Sequence, residues 1–328
     1  MRRSSLSAAS GASKIAFIRE PAGGYDGVLW VMNPDGSGQR ELGPAFPEMD
    51  WSPDGREIAF TTWGERHQQS SIHVTKADGS GRQELTSGFG NGPAWSPDGR
   101  KIAFVNGRDG AGIFVMNADG SERRRLTRAG VYLPAKLAWS PNGQKIAFTV
   151  ALTSGSDGNL EIYVVNADGT GQRRLTRSAV ADRNPVWSPD GRRIAFESNW
   201  QLWVMNADGS GQRRLTRNGA HSFDPAWSPD GQRIVFERGR RQSDSHWVGA
   251  WGYEVYVMNA DGSRQQRLTR GGSQPRWSPD GRQIAFVSKR QGGYADIYVM
   301  NADGSGQRNL TRSTGRRESQ PVWSPAQS

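Results

Sequence analysis

The tripeptide Trp-Ser-Pro occurs seven times, at Trp51, Trp95, Trp139, Trp187, Trp227, Trp277 and Trp323, with successive spacings of 44, 44, 48, 40, 50 and 46 residues. No other feature limits the chain so strongly. A unit of that length cannot bury its own faces, so it must stack on its neighbours, and the whole array forms one continuous structure.

The clearest copy is Trp187 to Thr216, WSPDGRRIAFESNWQLWVMNADGSGQRRLT. Its apolar runs, Arg193 to Phe196 and Leu202 to Met205, have strand length and end at turn residues rather than helix caps. They are strands b and c. Strand a is Pro185 to Ser188, turning at Pro189-Asp190-Gly191, where proline presets φ and glycine accepts a positive one. Strand c turns at Asn206-Ala207-Asp208-Gly209 into strand d, Gln212 to Thr216; Asp-Gly between strand runs is a strong hairpin signal. Arg213, Arg214 and Arg217 suit an outermost strand, since edge charge discourages pairing with another molecule.

Four short strands per repeat predict an all-β fold, a β-propeller of four-stranded blades. Seven Ile-(Ala or Val)-Phe strands, starting at Ile15, Ile58, Ile102, Ile146, Ile194, Ile234 and Ile284, match the seven Trp-Ser-Pro strands. The first lacks a strand a, and Gln320 to Pro325 is a strand a without followers. These fragments complete one another. The expectation is therefore seven blades, the C-terminal strand a pairing with the N-terminal b, c and d, in a single domain spanning 14–328 after a disordered tail of 1–13. We number this split blade 1 and the complete ones 2 to 7.

Length varies mainly in the b-to-c loops, shortest in blade 5 at Ser198-Asn199-Trp200 and longest in blade 6 from Glu237 to Tyr253. The a-to-b and c-to-d turns share one nearly constant face, so the b-to-c and d-to-a connections share the other. Insertions confined to one face commonly mark the binding side of a repeat protein.

The pattern P-x-W-S-P-D-G-[RQK]-x-I-A-F, then I-Y-V-M-N-A-D-G-S, then Q-R-x-L-T, resembles the TolB-like propeller repeat, also called PD40 or WD40-like, over about residues 14 to 325. Ordinary WD40 repeats carry Gly-His and Trp-Asp dipeptides, which are lacking here. The resemblance implies a propeller that binds a partner, and a periplasmic or otherwise extracytoplasmic setting, although Met1 to Ser13 lacks the apolar stretch of a secretory signal. TolB itself has a leading α/β domain and six blades, a departure from the seven units here. Similar repeats form the propeller of prolyl-oligopeptidase-type peptidases; no G-x-S-x-G nucleophile elbow occurs in this chain.

The formal charge is +10, and 36 of the 42 basic residues are Arg. Many sit in strand d and the Asp-Gly-Arg turns, which a propeller spreads round its rim rather than gathering into a groove, so nucleic acid is not the expected partner. No apolar run is long enough to span a membrane as a helix. With no cysteine, disulfides, thiolate catalysis and the common structural zinc sites drop out. The Asn-Ala-Asp-Gly-Ser turns, such as Asn301 and Asp303, lack the remaining ligands of a calcium loop and read as Asx hairpins. No metal or other cofactor is expected. His67 and His246 fall in b-to-c loops and His221 in a d-to-a loop, while His73 replaces the strand-c aromatic as a structural residue.

Candidate binding residues fall into two groups. Asn184, Asp224, Gln274 and Gln320 precede the inner-strand proline, as Gly92 does in blade 3, and are expected to ring the channel mouth. Arg240, Arg241, Asp244, His246, Trp247 and Trp251 crowd the longest loop, and Arg and Trp are typical contact anchors. The expected function is that of a monomeric, non-enzymatic module binding a protein or peptide through the variable face and channel mouth. The competing readings are a hydrolase or lyase with its site in the channel, and the detached propeller of a peptidase.

Overall fold

A computed structural model describes residues 13–21, 27–64, 69–88, 90–107, 112–127, 136–152, 159–217, 220–239, 252–289 and 294–326. Most of the expected tail, 1–12, lies outside the described residues. The fold is all-β: seven four-stranded antiparallel sheets, with no helix among the described residues and so none able to cross a membrane.

Each sheet runs in the order a-b-c-d. In blade 5 the strands are Asp182–Trp187, Arg193–Ser198, Gln201–Asn206 and Arg213–Arg214. Blade 1 is completed as expected, Ile15–Pro21 pairing with Val28–Met32 on one side and with the C-terminal Arg316–Trp323 on the other. The register from Ile15 opposite Trp323 to Pro21 opposite Arg316 makes this closing strand longer than the Gln320 start suggested. Inner strands touch their neighbours all the way round the ring.

The core lies between blades. Seven apolar clusters each join two successive blades, the one between blades 4 and 5 gathering Ala147, Ile162, Val164, Leu175, Trp187, Ile194 and Phe196. Every repeat element supplies part of this contact. The strand-b Phe is buried and faces the strand-c aromatic, as in Phe196 opposite Trp203 and Phe148 opposite Tyr163. His73 takes that aromatic place in blade 2 and stacks on Phe60 with ring centroids 5.8 Å apart, which bears out its structural role.

The Trp-Ser-Pro tryptophans stitch blade to blade. Six indole N–H groups donate to a carbonyl of the preceding inner strand, for example Trp187 to Ala138 at 3.0 Å and Trp323 to Arg276 at 3.2 Å. In the seventh, the Asp50 carboxylate accepts the Trp95 backbone N–H at 2.7 Å, and the buried indole N–H of Trp95 has no partner among the described residues.

Strand d is shorter than expected, two residues in six of the blades. The Leu-Thr that follows turns inward: Leu215 is buried, and the Thr216 hydroxyl accepts the Leu202 backbone N–H at 3.0 Å in place of a ladder bond. The Gln-Arg before it makes a two-way clasp. Gln212 donates back to Leu175 O of blade 4 at 3.0 Å, while Arg213 donates forward to Asp261 O of blade 6 at 2.7 Å. Arg124 does the same with Asp168 O and Ala167 O, both at 2.7 Å. These arginines hold the ring together as well as guarding its edge.

The Asn-Ala-Asp-Gly-Ser turns are Asx turns. Asp208 Oδ1 accepts the Ser210 backbone N–H at 2.9 Å and its hydroxyl at 2.6 Å. Gly209 sits at φ 84°, where a Cβ would come within 3.1 Å of Leu175 O on the neighbouring blade.

Candidate functional site

The residue three before each inner-strand Trp occupies one level of the ring: Gln320, Glu48, Gly92, Lys136, Asn184, Asp224 and Gln274 in blades 1 to 7. In five blades a bulge falls here, and the bulged residue is left-handed, at φ 55° for Gln320, 60° for Gly92, 53° for Asn184, 48° for Asp224 and 53° for Gln274. Proline follows each of them and donates nothing to the ladder. The backbone N–H so released bonds to the preceding blade: Gln320 N donates to Gln274 Oε1 at 2.6 Å, Gln274 N to Glu237 Oε1 at 2.5 Å and Asp224 N to Glu197 Oε1 at 2.9 Å. Gly92 N likewise meets Glu48 Oε2 at 3.0 Å.

Thus Asn184, Asp224, Gln274 and Gln320 do come together, and they are joined by residues the sequence reading missed. Glu48 and Lys136 share the level without a following proline, so counting back from Trp would have found them. Glu197 and Glu237 follow the strand-b Phe, where other blades carry Ile18, Thr61, Val105, Thr149 and Val287. Glu237 belongs to strand b, Arg233–Gly239, and not to the loop where the sequence reading placed it, because its ladder with Tyr253–Asn259 continues to Gly239. Arg240, Arg241, Asp244, His246, Trp247 and Trp251 lie outside the described residues, as does His67.

Charges concentrate on the blade 4 to 7 side of the mouth. Arg276 grips Asp224 through both guanidinium nitrogens, at 2.7 and 3.0 Å. Lys136 reaches past blade 5 to Asp224 Oδ1 at 3.4 Å. Arg183 meets Glu197 Oε2 at 3.3 Å, and Asn184 donates to Glu197 Oε1 at 2.9 Å. Burial opposes ionisation of Asp224, but the charges of Arg276 and Lys136 outweigh it and hold the carboxyl at about 2. For Glu237, burial and then the charge of Asp224 push the carboxyl up to about 8. The two carboxyls of one cluster are therefore pushed in opposite directions, Asp224 toward the charged form and Glu237 toward the neutral one. Across the ring, burial pushes Asp50 up to about 7 and raises Glu48.

The two faces differ sharply. Trp63, Leu152, Val180, Trp200 and Tyr294 are the exposed large hydrophobic residues among those described, and all five sit in or beside b-to-c or d-to-a connections. The opposite face presents exposed aspartates such as Asp35, Asp78, Asp119 and Asp208, each kept ionised by its serine hydrogen bonds. On the variable face, Asn199 and Trp200 form a two-residue hairpin turn at φ 47° and 60°. Trp200 stacks on His221 with centroids 5.1 Å apart, and Phe223, edge-on at 5.6 Å, carries the aromatic group to Asp224 and the mouth. In blade 2, Trp63 packs on Phe46 at 5.6 Å, two residues from Glu48.

A family model described as the TolB beta propeller domain matches residues 9–151, 132–250 and 247–328. No curated protein matches the chain in sequence. Among solved structures, TolB from Acinetobacter baumannii is 20% identical with a TM-score of 0.59, covering 95% of this chain and 82% of that one. An oligogalacturonate lyase in complex with manganese is 16% identical at a TM-score of 0.66, covering 93% and 86% respectively. The propeller domain of the Trilobed protease from Pyrococcus furiosus, described as having an open velcro topology, is 14% identical at 0.67 and covers 91% and 92%. At these identities the likeness is one of fold.

Proposed function

The chain belongs to the TolB β-propeller (PD40) family, and from that premise we propose that it is a non-enzymatic, monomeric binding module that takes a protein or peptide on its variable face and channel mouth. The observation that carries this reading is the confinement of Trp63, Leu152, Val180, Trp200 and Tyr294 to one face, around a mouth lined by polar side chains. Apolar side chains gathered on one face, with a polar centre to fix register, are what a docking surface needs. The arginines fit it too, since Arg40, Arg124 and Arg213 of strand d are engaged between blades.

The test places photo-crosslinking residues at Tyr294 on the variable face and at Asp303 on the opposite face. Partner adducts are expected from Tyr294 alone. With the partner so captured, the double change Trp63→Ser and Trp200→Asn should weaken it at least tenfold, about 1.4 kcal/mol, with little change in melting temperature. Asn is chosen because it tolerates the left-handed turn position. Equal adducts from both faces refute the reading.

One observation favours a second reading. Asp224, gripped by Arg276 and Lys136, shares one cluster with the buried Glu237, whose carboxyl is pushed up by burial and by the Asp224 charge, which is the arrangement of a proton donor and an ionised partner, as in a hydrolase or lyase. Turnover of a peptide or oligosaccharide that is lost in Glu237→Gln, with folding intact, would establish it.

A further inference from the structure

Among the described residues, three cations serve the blade 4 to 7 side of the mouth, and they are held very differently. Arg276 is bidentate on Asp224 and donates again to Pro275 O at 2.8 Å. Arg183 lies over the Trp200 ring, 4.8 Å from its centre, as well as against Glu197. Lys136 makes one polar contact among the described residues, at 3.4 Å, and keeps 44% of its side-chain surface open. An ammonium on a four-carbon stem with a single long contact is readily exchanged.

The carboxyls around it are built in. Glu197 and Glu237 retain 3% and 8% of their surface, and each accepts a backbone N–H from the bulge of the next blade. Glu237 accepts Gln274 N at one oxygen, and its second accepts no hydrogen bond among the described residues. A carboxyl nine-tenths buried with one oxygen unfilled by the described residues can accept a donor from a ligand.

We propose that this side of the mouth is a subsite for one cationic group of the bound peptide, an ammonium or guanidinium seated among Asp224, Glu197 and Glu237, and that the Lys136 Nζ is its internal stand-in. This rests on the binding-module reading and specifies its ligand: a chain presenting a lysine or arginine side chain, or a free amino terminus, to the channel. Entry of the ligand cation displaces Lys136 toward solvent. The added positive charge also favours the ionised form of Glu237, so a proton leaves as the cation arrives.

The experiment uses small probes on the full chain, so that its failure is distinct from failure of the docking-face reading. n-Butylammonium is titrated into wild type and Lys136→Gln by protein-observed NMR, with n-butanol as the uncharged control. Lys136→Gln is expected to bind the ammonium at least tenfold more tightly than wild type, and neither protein should take the alcohol. Adding Asp224→Asn should abolish the gain; Glu237→Gln should weaken ammonium binding severalfold and, in parallel calorimetry at pH 7.5, remove the buffer-dependent heat of proton release. Nα-acetyl-lysinamide and glycylglycinamide then separate a side-chain ammonium from an amino terminus. Equal affinity in wild type and Lys136→Gln, or binding of the alcohol as well, overturns the proposal even if the variable face captures a partner.

Discussion

Replacing Trp187 and Trp95 separately by Phe asks what the repeated indole contributes beyond its bulk. The two side chains are equally buried, at 7% and 6% exposure, so the ring area lost is the same and cancels in the comparison. Trp187→Phe removes the bond from the indole N–H to Ala138 O, formed at 3.0 Å, and leaves that carbonyl without its donor. Such a loss costs about 1 to 2 kcal/mol. Trp95→Phe removes a buried N–H that already has no partner, which relieves a desolvation penalty of about 1 kcal/mol or more. Trp187→Phe should therefore be the costlier by about 2 kcal/mol. Urea denaturation followed by far-ultraviolet circular dichroism measures the difference, read from the midpoints at a common slope. Costs agreeing within about 0.5 kcal/mol would show that ring packing alone sets the stability, and that the cross-blade bonds contribute nothing net.

Two further outcomes follow from the closing blade and from the buried carboxyls. Ending the chain after Gly315 removes the strand Arg316–Trp323, with buried Glu318 and Trp323 and the whole register against Ile15–Pro21, so cooperative unfolding should disappear from the calorimetric scan; a scan shifted by only a few degrees would refute closure by this strand. Glu318 is fully buried at that seam, and burial, partly offset by Thr311 and Arg19, lifts its carboxyl to about 7. A carboxyl raised in the folded state favours folding below its unfolded value of 4.5 and loses that contribution as pH rises through about 7. Stability should accordingly fall between pH 5 and 8 by about 3 kcal/mol from this residue, and Glu318→Gln should flatten the profile; an unchanged slope in the variant would place the titration elsewhere.

The architecture was legible because each repeat element has a single structural use that depends on short-range chemistry. Asp-Gly makes a hairpin wherever it falls between strand runs, and Leu-Thr ends strand d wherever a strand-c N–H needs a hydroxyl, as Leu202 N needs Thr216. The site was legible only in part. Asn184, Asp224, Gln274 and Gln320 could be picked out because proline marks the bulge, whereas Glu48 and Lys136 hold the same level without that mark. Glu197 reads as an unremarkable strand residue and Glu237 as the start of a loop, since nothing local says that a glutamate after the strand-b Phe will receive a backbone N–H from the next blade. That information lies in packing between successive repeats, through bonds spanning 27 and 37 residues. The Arg clasp was hidden for the same reason: Arg213 and Asp261 are 48 residues apart, and the bond exists only once the ring has formed.

The left-handed bulge residues carry a consequence for how this chain would drift under selection. Asn184, Asp224, Gln274 and Gln320 hold side chains at φ between 48° and 55°, a conformation that glycine adopts freely and that costs other residues about 1 kcal/mol or more. Blade 3 already has Gly92 there. In a mutational library sorted for thermal survival alone, these four positions should enrich for glycine. Sorted for ligand retention, they should resist it. The ratio of the two enrichments, position by position, would rank how much each blade contributes to recognition without the ligand being known beforehand.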